Sequence, residues 1–187
     1  MKTKKTRIKE LTATGTIYDL LTGNDLRSIG KSNEVVALVT SNPELFDEVF
    51  DGIFHEDKVI RARCADAVEK VAKRFPEYIQ KKKKIIIKNL DKFNQKEVVW
   101  HIAMMLGYLK LTKKEVDKSF NQLYKWLNES DSIIVKVACM QTMADFAMKN
   151  NLLAKIVRDE VEKQMINGAP AIKARGRHLL KEFEKSK

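Results

Sequence analysis

At 187 residues the chain has the length of one domain, and its 44% hydrophobic residues suffice for a core. Charged residues at 33% and aromatics at 7% fit a helical protein rich in Lys and Glu, and no apolar run approaches the ~20 residues that span a bilayer. The formal net charge of +11 is unevenly spread: residues 25–57 hold two bases and eight acids, whereas residues 58–93 hold twelve bases and four acids.

Residues 1–15 form a basic N-terminal segment (Lys2, Lys4, Lys5, Arg7, Lys9) without a firm pattern, and its beginning is expected to be mobile. No apolar run follows it as in a secretory signal, so a cytoplasmic protein is expected. Residues 16–187 read as one all-α domain. Ile17, Tyr18, Leu20 and Leu21 suit a short helix packed over the first hairpin. The first full helix is expected over about Asp25 to Thr40, weakened by Gly30, and Asn42-Pro43-Glu44 marks its end, with Asn42 as the next N-cap. Leu45, Phe46, Val49, Phe50, Ile53 and Phe54 supply the apolar stripe of its partner. The second unit runs from about Lys58 to Arg74, breaks at Phe75-Pro76-Glu77 and continues to about Asp91. The third unit opens with Asn94 and Glu97 as a capping box, and its second helix opens with Thr112 and Glu115 in the same arrangement. Asn167-Gly168 ends the fourth unit, and Pro170 opens a last helix that suits an end cap.

These units repeat. Ile60, Val98, Val135 and Ile172 are separated by 38, 37 and 37 residues. Eight places further on stand Val68, Leu106, Met143 and Leu180; three beyond those stand Val71, Leu109, Phe146 and Phe183. Small residues recur shortly after the first anchor, as Cys64 with Ala65, Ala103, Cys139 and Gly176. One helical stripe reused at a fixed period indicates stacked two-helix units, in which Cys64 and Cys139 are small packing residues.

An apolar residue followed by a base, early in the first helix of each unit, carries a resemblance to the HEAT-repeat superfamily. The pairs are Ile60-Arg61, Val135-Lys136 and Ile172-Lys173; the third unit departs, with Val98 followed by Val99. The resemblance covers roughly residues 25–185 and implies a right-handed α-α superhelix of about four to five hairpins. Tetratricopeptide repeats, with a period of about 34, are the nearest competitor, but their aromatic pattern is absent.

Candidate binding residues lie on the second helix of each unit. Lys81, Lys84, Lys88 and Lys92 are spaced 3, 4 and 4 and share one helix face. One period on stand Lys118, Asn121 and Lys125, beside Trp126; one more reaches Lys155, Arg158 and Glu162. A lysine-rich ridge across three units suits phosphates or an acidic peptide, and the same residues equally suit a solvated face. The corresponding first-unit positions are Glu48, Asp51 and His55, which makes the surface bipolar and also permits head-to-tail association of copies. The resemblance further implies a comparison with HEAT-like DNA alkylpurine glycosylases, which use an Asp and groove aromatics. Trp100, Tyr108, Tyr124 and Trp126 are present, but Asp117 is only an outside match for the acid. His55, His101 and His178 lack metal-ligand spacing, and no Gly-rich phosphate loop or nucleophile elbow occurs. The expected function is a non-catalytic scaffold without cofactor, metal or small-molecule substrate. It presents a charge-graded face to an acidic segment or helix of a protein partner. Nucleic-acid binding through the basic face is the alternative.

Overall fold

A computed structural model describes residues 15–185. The basic segment expected over residues 1–15 therefore lies, apart from Gly15, outside the described residues. Among those described, every regular element is helical. The chain divides into two compact units, one ending at Lys81 and the other beginning at Lys82.

In the first unit, a 3-10 turn over Ile17–Leu20 is followed by α1 (Ser32–Ser41), α2 (Phe46–Asp51), a 3-10 turn over Gly52–Phe54, α3 (Lys58–Arg74) and the start of α4 (Pro76–Lys88). α3 is the central element. Twelve of its residues are buried, and α1, α2 and the Gly52–Phe54 turn all pack on it. Asp57 starts it as N-cap, accepting from the Val59 and Ile60 amides at 2.6 and 3.3 Å; these backbone bonds hold its carboxyl below the usual carboxylate range. The short helix expected near residue 17 is a 3-10 turn with Ile17 and Leu21 buried, and the Tyr18 hydroxyl donates to the Glu48 carbonyl at 2.8 Å.

The first helix is shorter than the sequence suggests, starting at Ser32 rather than near Asp25. Gly30 sits at φ +53°, which interrupts a right-handed helix. The loop before it is organised by the buried Arg63 of α3. Its Nε donates to Ser28 O (3.1 Å), Nη1 to Leu21 O (3.2 Å) and Thr22 O, and Nη2 to Asp25 O (3.2 Å). A Cβ on Gly23 or Gly30 would come within 2.6 Å of this guanidinium.

The second unit holds the end of α4, a 3-10 turn over Leu90–Lys92, α5 (Lys96–Tyr108), α6 (Lys113–Glu129), α7 (Ile133–Ala147), α8 (Asn151–Ile166) and α9 (Pro170–Lys185). α7 is its hub, packing on α5, α6, α8 and α9, and is accordingly apolar on nearly all sides. Thr142 on α7 bonds Ala103 O at 2.8 Å. Two capping expectations need correction. Asn42 does hold the N-cap position, of the Pro43–Leu45 3-10 turn, but its side chain makes no cap bond; its Nδ2 donates backward to Leu38 O at 3.1 Å. Asn94 is not the N-cap of α5, which is Gln95 without a side-chain bond. Thr112 and Glu115 do form the expected capping box. The helix expected to reach Asp91 stops at Lys88.

The positions repeated every 37 residues are interior ones. Ile60, Val98, Val135 and Ile172 are buried, as are Val68, Leu106, Met143, Val71, Leu109, Phe146 and Phe183; Leu180 is half-buried. So are Cys64, Ala65, Ala103, Cys139 and Gly176 buried. Both cysteines are free, and burial pushes each thiol up to about 12. Neither is expected to react measurably with a thiol reagent at pH 8 in the folded protein, and both should react on unfolding. A rapid native-state reaction at either site would contradict this packing.

Candidate functional site

The basic residues of α4 are sorted by helix geometry. Ile79, Ile86 and Leu90 are fully buried, which turns Lys84 and Lys88 to the opposite, exposed side. Lys83 lies on the flank and donates to Glu115 (2.8 Å) and to Lys110 O (3.3 Å), and its hydrogen bond holds the Glu115 carboxyl below the usual carboxylate range. This bond ties the second-unit part of α4 to the N-terminus of α6. Further along, Asp91 and Phe93 line one cavity with Gln122, Lys125 and Trp126. These contacts place the segment from Lys83 to Phe93 along α6, with Lys83 at its start and Phe93 further along.

On α6 the buried side is Phe120, Leu123 and Leu127, which leaves Lys118, Asn121 and Lys125 exposed opposite. Lys84, Lys88, Lys118 and Lys125 thus all lie on the exposed faces of these two helices. Among the described residues, Lys84, Lys88 and Lys118 have no ion-pair partner, and Lys125 stands 4.0 Å from an exposed Glu129. Unpaired ammonium groups keep a positive field that ion pairs would cancel.

The other expected site residues are placed differently. Lys81 belongs to the first unit, its ammonium 5.9 Å from the Tyr78 ring centre. Lys155 on α8 is exposed but closed onto Asp159 at 2.6 Å, which raises its amine. Arg158 is half-buried, its guanidinium 5.7 Å from the Phe183 ring. Trp126 is only 8% exposed, a packing residue with one side on the cavity. α8 contributes apolar surface instead, with Leu152 81% and Ile156 50% exposed.

The residues weighed for catalysis remain apart. Asp117 and Tyr124 are exposed, Trp100 is half-buried, and His101 is buried. His55 Nδ1 accepts from the Asp57 amide at 3.0 Å, and His178 pairs with Glu182 at 3.2 Å. Among the described residues, no group of His, Cys, Asp and Glu could hold a metal, and no helix is long and apolar enough to cross a membrane.

Sequence reasoning missed the cavity that Trp126 borders. It is ≈ 270 Å³, and its apolar wall is Phe93, Val99, Trp126 and Val135. The signal was present in Val99, the one departure from the apolar-base pairing. No family model, curated protein or solved structure matches the chain.

Proposed function

We propose that the chain is a HEAT-like, non-catalytic interaction module whose basic face on α4 and α6 holds an acidic segment of a partner protein. The observation that carries this is the set of Lys84, Lys88 and Lys118, exposed and without an ion-pair partner among the described residues, on two helices joined by the Lys83–Glu115 bond. Burial of the equivalent position in every unit supports the repeat reading. Exposed lysines gain little from isolated surface pairs, but a row of like charges attracts an acidic chain collectively and speeds its encounter. Exposed Leu152 and Ile156 on α8 favour a protein partner over a nucleic acid, since interfaces with polyanion backbones are more polar.

Charge reversal tests this directly. The double variant Lys84→Glu/Lys118→Glu should bind a Glu-rich helical peptide about tenfold more weakly than the parent chain at low salt, mostly through a slower on-rate. Raising the salt should weaken the parent's binding toward the variant's. Unchanged affinity in the double variant overturns the reading. Retardation of duplex DNA by a chain that ignores the acidic peptide would replace it with the nucleic-acid alternative.

A further inference from the structure

The base that follows the first apolar anchor has a physical task. In α3, Arg61 turns back and donates from Nη1 to the carbonyls of His55 (2.7 Å) and Glu56 (2.8 Å), closing the loop that precedes its helix. In α7, Lys136 occupies the same register and reaches Gln164 at 3.4 Å. In α5 the register position is Val99, which is 4% exposed. A short apolar side chain stands where the other units carry a long base, and the space beside it is the ≈ 270 Å³ cavity.

The contents of that cavity can be read from its walls. It is smaller than the ~300–1,000 Å³ pockets that enclose drug-sized ligands, so it suits one side chain rather than a cofactor. Four apolar side chains, an indole among them, at the floor of an open cleft with a polar rim suit an interface anchor pocket that shields one large side chain from water. The mouth carries Lys96 and Lys125, and the segment leading to it carries the exposed Lys88, at the end of α4, and Lys92. At the rim itself Lys96 and Lys125 balance Asp91 and Glu129, so any excess of positive charge comes from the exposed Lys88 and Lys92 in the segment leading to it. What selects an acidic sequence around the incoming side chain is the set of exposed, unpaired Lys84, Lys88 and Lys118 on the same two helices.

We infer that this cavity is the anchor subsite of the basic face. It receives one aromatic or large aliphatic side chain of the acidic partner segment while that segment's carboxylates meet Lys84, Lys88 and Lys118. The inference rests on the proposed acidic-segment binding and adds the element of sequence selectivity that a lysine row lacks.

The test uses the full chain carrying Trp100→Phe, which leaves Trp126 as its sole indole. Two Glu- and Ala-rich helical peptides are titrated, identical except for a central phenylalanine or alanine. The phenylalanine peptide should bind at least about tenfold more tightly and move Trp126 emission to shorter wavelength as water leaves the cavity. Val99→Arg, which restores the base found in register elsewhere, should abolish that difference while preserving the salt-dependent binding of the alanine peptide. Both peptides bound equally, with Trp126 emission unmoved, would sink the anchor subsite and leave the basic face standing. Binding of neither peptide would remove the basic-face reading and this inference with it. If Val99→Arg fails to fold, the affinity ratio and the emission shift decide the matter without it.

Discussion

Replacing Arg63 with alanine is expected to destabilise the protein by about 3 kcal/mol or more, the largest effect foreseen for a single side chain outside the apolar core. Its guanidinium is buried, and all its hydrogen bonds go to backbone carbonyls of Leu21, Thr22, Asp25 and Ser28. Hydrogen bonds from a charged donor contribute about 1.5–3 kcal/mol each, though a shared donor makes them non-additive. Truncation withdraws all of them together and opens space next to Gly23 and Gly30, which lie against this group. Lysine should restore only a small part of the loss, because one ammonium cannot match the planar fork spread over that loop. Chemical denaturation measures the stability, and hydrogen exchange over residues 21–30 reports whether the loop loosens first. A change under about 1 kcal/mol for Arg63→Ala would show that the loop holds its shape without the guanidinium.

The second large effect is expected at Gly52. A Cβ there would stand 2.3 Å from Cys64 Sγ and 2.7 Å from Tyr18 Cε1, at the contact between the Gly52–Phe54 turn and α3. Neither neighbour is the free end of a flexible chain: Cys64 is buried at the centre of α3, and Tyr18 is held through its hydroxyl. Gly52→Val should therefore cost about 3 kcal/mol, and Gly52→Ala about 1–3 kcal/mol, since overpacking forces the helix contact apart. Cys64→Ala removes the closest atom. In a double-mutant cycle with Gly52→Ala it should recover about 1 kcal/mol as coupling, measured by thermal or denaturant unfolding. Strict additivity of the two substitutions would place the strain elsewhere.

Both effects arise where α3 meets the residues before it, the stretch in which the periodic pattern is weakest, and this shows what kind of information local sequence carries. The run from Lys58 to Arg74 is legible to the residue, because a capping Asp57 and a following Pro76 bound a stripe of apolar residues at helical spacing. The stretch from Asp25 to Gly30 reads as helix but is not one, because its conformation is imposed by an arginine more than thirty residues away. The two asparagines make no capping bond for a related reason. A capping residue type states that a bond is available, and the backbone direction at the helix entrance decides whether Asn42 bonds forward or, as here, backward to Leu38.

The candidate site divides along the same line. Alternation of burial on α4 and α6 follows from helical periodicity, so the outward placement of Lys84, Lys88, Lys118 and Lys125 is foreseeable from spacing alone. Which basic groups remain unpaired is not. Lys83 meets Glu115 from another helix, Lys155 closes on Asp159, and Arg158 turns toward Phe183, and such pairings depend on neighbours brought together by packing. By itself, then, the sequence determined an all-α chain, its 37-residue reuse of one buried stripe and the basic character of two helix faces, because each is encoded by residues within a few turns of one another. Only the tertiary structure decided which lysines stay free, that Trp126 packs inward and that Val99 leaves a cavity beside it, because charge pairing and empty volume are properties of side chains that meet across distant segments.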